Sequence, residues 1–160
     1  MTIKTLSLAI LIFSISCKKT ESNPKNFTGT WYDTGYEAEN KTILNILPDN
    51  TFLYNGGSSS WTGFSNGTWK MIGDTIELSS AKMEDCYNVF PFSDCNYADK
   101  TSNVLTTIPG CVPDMDMSFV TIDKEQFYIK NDSLIYKRKK FAKCPNRFKI
   151  SFARTPKSKK

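Results

Sequence analysis

The sequence predicts an all-β domain, an up-and-down antiparallel barrel of about eight strands with a disulfide-bearing loop insertion. Short runs of alternating apolar and polar residues are separated by turn pairs such as Gly73-Asp74 and Asn131-Asp132. The tripeptide Gly-Thr-Trp occurs twice, at residues 29–31 and 67–69. No stretch of the chain shows the convincing periodicity of an amphipathic helix. A composition that is 39% hydrophobic and 13% aromatic is sufficient for one packed core.

The alternating runs place the strands in chain order. The clearest hairpin joins residues 67–72 to residues 75–79 across Gly73-Asp74. Its apolar side chains are predicted to lie on one buried face or on two adjoining ones: Trp69, Met71, Ile76 and Leu78. In the last strand, Phe148, Ile150 and Phe152 alternate onto one face. The predicted strands cover residues 27–32, 41–47, 51–54, 67–72, 75–79, 117–122, 126–130, 133–137 and 148–154.

The chain contains no histidine, which removes the commonest general base and the commonest transition-metal ligand. Any nucleophile paired with histidine is excluded for the same reason. No carboxylate pair has a spacing that singles it out, so no catalytic residue is predicted. We therefore expect a protein that is not an enzyme, with an uncharacterised hydrolase as the alternative, and no cofactor.

The first residues have the form of an export signal. Lys4 precedes an apolar run over residues 6–15, which is shorter than the roughly 20 residues of a spanning helix. We assign residues 1–16 to a signal peptide that ends just before Cys17. Residues 17–26 are polar, contain Pro24 and show no periodicity, which is typical of a flexible tether. The alternatives are an ordinary secreted protein in which Cys17 is incidental, and an uncleaved anchor.

Two motifs carry a resemblance to a known group of proteins. Residues 14–17, Ser-Ile-Ser-Cys, resemble a relaxed lipobox. The second motif begins at the first Gly-Thr-Trp, continues through Pro-Asp-Asn-Thr-Phe at 48–52 and ends with Gly-Asp-Thr-Ile-Glu-Leu at 73–78. It is similar to the small lipocalin-like β-barrel lipoproteins of the Bacteroidota type. The resemblance implies a lipid on Cys17, an envelope location with the outer membrane or cell surface favoured, and a barrel domain over residues 27–155. It also implies that Arg154 lies over Trp31, as a C-terminal arginine often does in lipocalins.

The segment of residues 55–66 is rich in Gly and Ser and is predicted to be a mobile loop. It carries Trp61 and Phe64, which we expect to be contact groups for a ligand or partner. The alternatives are that these rings fold back onto the sheet, or that the segment includes a short edge strand. Trp31 and Trp69 are further candidate contacts, and with Phe52, Phe119 and Phe127 they are available to line or fill the barrel.

Four cysteines remain after Cys17: Cys86, Cys95, Cys111 and Cys144. An even number in an exported domain predicts two disulfides. The favoured pairs are Cys86–Cys95, which would close a short loop, and Cys111–Cys144. The alternative pairs Cys86 or Cys95 with Cys144. No metal site is predicted, because no Cys-x₂-Cys pair and no histidine accompany these cysteines.

Charge is distributed unevenly along the chain. Residues 17–123 contain seven Lys/Arg against fourteen Asp/Glu, whereas residues 124–160 contain thirteen Lys/Arg against two acids. The basic end, which includes a tail at residues 156–160, is predicted to be solvated surface or to meet an anionic glycan or lipid. Nucleic acid is not an expected partner, because the leader directs the chain out of the cytoplasm.

These observations favour a lipid-anchored envelope protein that binds a small apolar or amphipathic molecule in its barrel. The alternative is a protein-interaction or inhibitor module at the envelope, with the aromatic segment and the cysteine insertion as its contact surfaces.

Overall fold

The computed structural model describes residues 23–34, 42–58, 61–92, 105–113, 116–137 and 149–156. In these ranges the regular structure is β, apart from one 3-10 helix at Pro24–Asn26. None of their helices is long and apolar enough to cross a membrane. The strands are β1 (Gly29–Asp33), β2 (Ile43–Ile46), β3 (Thr51–Ser58), β4 (Trp61–Ile72), β5 (Thr75–Ser80), β6 (Asn88–Pro91), β7 (Leu105–Thr106), β8 (Met117–Thr121), β9 (Glu125–Lys130), β10 (Ser133–Lys137) and β11 (Ser151–Ala153).

Eight of these strands close into an antiparallel barrel, which confirms the predicted fold class. Around the barrel the order is β1-β2-β3-β4-β5-β9-β10-β11, and β11 pairs with β1 to complete the circle. Closure pairs the barrel strands on both sides, so that the barrel itself presents no long free edge.

The barrel interior is filled by the alternating apolar positions that the sequence predicts. On β4 and β5, Trp69, Ile76 and Leu78 are buried and Met71 packs against the same cluster, as expected. Ile150 and Phe152 also point inward on the closing strand, whereas Phe148 lies outside the described residues. Every strand of the barrel contributes at least one side chain to this cluster.

Two predicted turns are confirmed by backbone geometry. Gly73 (φ 63°) and Asp74 connect Ile72 and Thr75, which face each other across the β4–β5 hairpin. Asn131 and Asp132 have φ values of 51° and 56° and connect β9 to β10. In the second turn, φ is positive at both central residues, as in a type I′ turn, whose twist matches that of the flanking strands.

The prediction of a mobile loop over residues 55–66 is wrong. β3 and β4 continue through most of this segment as an antiparallel hairpin, with Gly56 opposite Gly63 and Ser58 opposite Trp61. Packing is close at one of these positions, because a Cβ on Gly56 would lie 2.8 Å from the Tyr54 hydroxyl oxygen and the Tyr54 side chain would have to shift. A composition rich in Gly and Ser is therefore compatible with paired strands here.

The insertion between β5 and β9 extends the sheet from β4 by three further strands. β8 pairs in parallel with the first half of β4 and with β6, and β6 pairs antiparallel with β7. The predicted strand at residues 117–122 therefore exists but lies outside the barrel. Phe119 belongs to this extension, so it does not line the barrel as predicted. Parallel pairing requires a long crossover, which turn signals in a sequence do not reveal.

The favoured disulfide pairing is also wrong. Cys86 bonds Cys111, with 6.0 Å between their Cα atoms. The pairing of β6 with β7 brings these residues together, because Tyr87 and Thr107 exchange hydrogen bonds between the two flanking segments. Cys95 and Cys144 lie outside the described residues, so the alternative Cys95–Cys144 bond stays a prediction.

Several other predictions fall outside the described residues. These are the signal peptide at 1–16, the lipidated Cys17, most of the basic region after Lys137, and the last four residues of the tail. The tether prediction needs one change at its end. Residues 24–26 are not flexible linker but a 3-10 helix, whose Lys25 amide donates to the side chain of Asn23.

Candidate binding site at the insertion end of the barrel

The two ends of the barrel are built differently. We call the end next to the 3-10 helix the helix end, and the end where β5 stops and β9 starts the insertion end. Three connections outside the described residues, at 35–41, 59–60 and 138–148, also leave from strand ends on the insertion side.

The helix end is sealed by the first Gly-Thr-Trp. Trp31 is 1% exposed, and its indole N–H donates to the carbonyl of Phe27 over 2.7 Å. The guanidinium of Arg154 lies over the indole, 3.7 Å from the ring centroid, which confirms the predicted position of this arginine. Its two terminal nitrogens donate to the carbonyls of Thr28 and Asn26 over 2.7 and 2.6 Å. Partial burial lowers the pKa of Arg154, which nevertheless stays charged.

Both glycines of the repeated tripeptide are required by close contacts. Gly29 has φ 114°, and a Cβ there would lie 2.6 Å from a guanidinium nitrogen of Arg154. At Gly67, a Cβ would lie 2.1 Å from the backbone oxygen of Ser79. Gly67 stands where the partner of β4 changes from β8 to β5. In each copy of the repeat, the glycine therefore lies at a close contact, with the Arg154 side chain at Gly29 and with the β5 backbone at Gly67.

Among the described residues, one aromatic side chain from outside the barrel strands covers the insertion end. Phe92 follows β6 in the insertion, is 5% exposed, and its amide donates to the carbonyl of Thr121. Its ring makes edge contacts with three interior rings of the barrel: Tyr54, Phe127 and Tyr136, at centroid distances of 5.7, 5.7 and 5.5 Å. These three contacts are apolar contacts between rings.

A carboxyl group lies among these rings. Glu125, the first residue of β9, is 3% exposed and is the only acidic or basic residue in the described ranges that is buried. One of its carboxyl oxygens accepts a hydrogen bond from the Tyr136 hydroxyl over 2.7 Å. Glu125, Phe127 and Tyr136 share the inner face because β9 and β10 pair in a register that places Tyr136 opposite Phe127.

Ser80 ties the insertion to the barrel at this end. Its hydroxyl oxygen accepts a hydrogen bond from the amide of Ile122 over 2.7 Å and lies 2.9 Å from the hydroxyl oxygen of Ser65. Its own amide donates to the carbonyl of Ile122 over 2.7 Å. The start of β9, and with it Glu125, is therefore held at a defined position by β4 and β5.

The three candidate contact residues whose side chains are described lie on different sides of the barrel wall, with Trp31 and Trp69 inside and Phe64 outside. Trp31 and Trp69 are buried, and the indole N–H of Trp69 donates to the carbonyl of Leu47. Phe64 points out of the barrel and packs against Tyr87 and Phe119, at centroid distances of 4.9 and 5.6 Å. Trp61 begins β4, and its side chain lies outside the described part.

The sequence analysis missed Phe92, Glu125 and Tyr136 as site residues. The predicted strands at 117–122 and 126–130 leave Glu125 in the connection between them, and the favoured Cys86–Cys95 bond places Phe92 in a short loop. One signal was present for Glu125, because extending the alternation of β9 back from Phe127 puts Glu125 on the inner face.

Metal ligation is not indicated in the described ranges, where no three residues among Asp, Glu and Cys converge on one point. Comparison of the chain with protein-family models, curated proteins and solved structures gives no match. The class of protein therefore follows from the fold alone. It is a closed eight-stranded antiparallel barrel, consistent with a lipocalin-like architecture, that carries a disulfide-bonded insertion at one end.

Proposed function

We propose that this protein is a non-enzymatic, lipid-anchored protein of the cell envelope whose barrel binds a small apolar or amphipathic molecule. The proposal depends on a difference between the two ends of the barrel in the contacts that a ligand would have to break. At the helix end, an entering ligand would have to break the stack of Arg154 on Trp31 and three hydrogen bonds. At the insertion end, the obstacle that the described residues present to a ligand is the ring of Phe92, which is held by edge contacts.

The proposed anchor is a lipid on Cys17. Residue 23 lies at the helix end, and the five residues between it and Cys17 span at most about 20 Å. An anchored protein would therefore hold its helix end near the membrane and its insertion end away from it. We expect Cys17→Ser to move the protein from the membrane fraction to the soluble fraction. An intact mass of the wild-type chain without acyl groups would contradict the anchor.

Ligand binding is tested by native mass spectrometry of the Cys17→Ser protein, purified without detergent. We expect a fraction of the barrel to carry a copurified small molecule, because displacement of Phe92 exposes apolar surface that water solvates poorly. Phe52→Ala serves as a matched control, because it removes an interior ring near the helix end. A protein that is free of adducts and takes up no added amphiphile would refute the proposal.

The alternative of an interaction module is favoured by one observation. Four large apolar side chains of the insertion and its flanks are exposed, and Val112 reaches 87%. If the insertion binds an envelope protein, Val112→Ser with Leu105→Ser should abolish that complex and leave uptake of small molecules unchanged. The four side chains are Leu105, Ile108, Val112 and Met117.

A further inference from the structure

The strands β6, β7 and β8, which we call the sheet extension, carry an apolar row on their outer face. The row consists of four residues that stand opposite one another on adjacent strands: Phe64, Phe119, Val89 and Leu105. Directly paired residues point to the same face of a sheet, so all four share the face on which Phe64 packs against Phe119. Phe119 is 4% exposed, whereas Leu105 is 63% exposed. The row therefore runs from a buried centre to an exposed end.

Three more exposed apolar side chains lie near the edge at which β6 and β8 begin. Met117 starts β8 and shares the outer face with Phe119, two residues further on. Val112 follows Cys111, which the disulfide holds against Cys86 just before β6. Ile108 is held to the same turn, because its carbonyl accepts a hydrogen bond from the amide of Cys111. Exposed apolar side chains that gather in one place often mark a protein–protein contact surface.

Carboxylates line the same edge of the sheet extension. β6 and β8 run parallel, and their pairing begins where Asn88 stands beside Ser118, so the residues just before them lie at one edge. Those residues include three exposed acids: Glu84, Asp85 and Asp116. Residues 81–122 contain two lysines against six Asp/Glu, in a chain whose net charge is +5. The exposed apolar side chains therefore lie beside negative charge in an otherwise basic protein.

The three carboxylates are available to a partner. The ion pair that the described residues form joins Lys70 to Glu77 on the barrel, and it involves none of the three. Asp85 contributes to the packing of the insertion through its backbone carbonyl, which accepts a hydrogen bond from the Thr107 hydroxyl. Lys82 is the one basic residue in the described part of residues 81–122. The edge therefore keeps a net negative charge, which attracts a cationic partner and repels an anionic one.

We propose that the outer face and the acidic edge of the sheet extension bind a cationic amphipathic segment of a partner protein. The apolar side chains of that segment cover Leu105, Val112 and Met117, and its Lys or Arg side chains contact Asp85 and Asp116. Burial of apolar surface provides affinity, and charge complementarity excludes anionic segments. The inference goes beyond ligand binding in the barrel, because this surface lies outside the barrel, and it gives the chemistry of the partner for the interaction module.

The test compares three synthetic peptides of equal length, with the same helical spacing of their two residue types: leucine–lysine, leucine–glutamate and serine–lysine. Binding to the detergent-free Cys17→Ser protein is measured by titration calorimetry. We expect the leucine–lysine peptide to bind about tenfold more tightly than either of the others, and its affinity to fall as added salt screens the exposed charges. The net charge of +5 would favour the leucine–glutamate peptide in non-specific binding, so the expected preference reports the acidic edge.

A pair of charge substitutions locates the binding surface. Asp85→Asn with Asp116→Asn should weaken binding of the leucine–lysine peptide about tenfold and reduce its dependence on salt. Asp74→Asn with Asp132→Asn is the matched control, because it removes the same charge from two exposed turn residues at the helix end. This control should leave the affinity unchanged.

A pair of apolar substitutions tests the other half of the surface. Leu105→Ser with Val112→Ser should weaken binding of the leucine–lysine peptide to the level of the serine–lysine peptide. Leu53→Ser with Ile72→Ser is the matched control, because both side chains are exposed on the barrel strands and not on the sheet extension. It should leave the affinity unchanged.

Three results would overturn the inference. It is wrong if the lysine and glutamate peptides bind alike, or if the substitutions on the sheet extension behave as their controls do. It is also wrong if sedimentation velocity shows that the protein alone self-associates and that Asp85→Asn with Asp116→Asn abolishes the association, because a second copy of this chain would then cover the surface. The comparison of peptides on the protein without surface substitutions stands even if a variant fails to fold. Uptake of small molecules is measured separately, so failure here does not decide whether the barrel binds a ligand.

Discussion

Trp31→Ala is expected to lower the free energy of unfolding by about 3–5 kcal/mol, the usual cost of truncating a large buried aromatic side chain. The ring is 1% exposed, so its removal leaves a cavity between the 3-10 helix and the barrel. The carbonyl of Phe27 loses its indole donor, and Arg154 loses the ring on which it stacks. Urea unfolding followed by far-ultraviolet circular dichroism measures the change.

Two further variants separate the contributions to this loss. Trp31→Phe keeps an aromatic ring beneath Arg154 but removes the N–H, so we expect a smaller loss of about 1–2 kcal/mol. Leu53→Ala is the control, because Leu53 is 45% exposed on the outside of β3 and its truncation should change stability by less than about 0.5 kcal/mol. If Trp31→Ala were as stable as Leu53→Ala, the contacts of Trp31 with Phe27 and Arg154 would not stabilise the fold.

Removal of the Cys86–Cys111 bond is expected to cost about 2–4 kcal/mol. The cysteines are 25 residues apart in the sequence, and loop closure of that length restricts the unfolded chain by roughly this amount. The double variant Cys86→Ser with Cys111→Ser should therefore unfold at lower urea concentration than the unsubstituted protein. We expect the barrel to remain folded, because its core lies outside the disulfide loop except for Phe92. Loss of all tertiary structure in the double variant would contradict this view of the insertion.

Disulfide mapping decides the pairing of all four cysteines in one experiment. A protease that cleaves before aspartate separates them into residues 85–93, 94–98, 99–113 and 132–160. Without reductant, we expect 85–93 to be linked to 99–113. The other two peptides should be linked to each other by Cys95 and Cys144. A bond between 85–93 and 94–98 would contradict the structure.

Much of the barrel could be predicted from local patterns. The hairpins at Gly73-Asp74 and Asn131-Asp132 are formed by neighbouring residues, so the sequence reports them directly. The inward face of β4 and β5 follows from strict alternation. The position of Arg154 over Trp31 was available only from the resemblance to lipocalins, because 123 residues separate the two in the chain.

The candidate site was largely missed for a physical reason. Phe92 enters the barrel because β6 pairs with β8 and β8 pairs with β4, and neither parallel contact has a local sequence signal. Cys86 bonds Cys111 because β6 and β7 pair, whereas proximity in the chain favoured Cys95. The Gly/Ser composition of residues 55–66 predicts mobility, whereas the pairing of β3 with β4 orders most of the segment as a hairpin.

The sequence by itself determined that this chain forms an antiparallel barrel. The alternation of apolar and polar residues and the chemistry of the turns both depend on residues that are neighbours in the chain. The sequence also determined that histidine-dependent chemistry is absent. Only the tertiary structure decided how Trp31 and Arg154 close the helix end of the barrel, where the insertion attaches, and that the buried Glu125 accepts a hydrogen bond from Tyr136, whose ring contacts Phe92. These features depend on contacts between residues far apart in the chain, and such contacts are selected by the packing of the whole barrel.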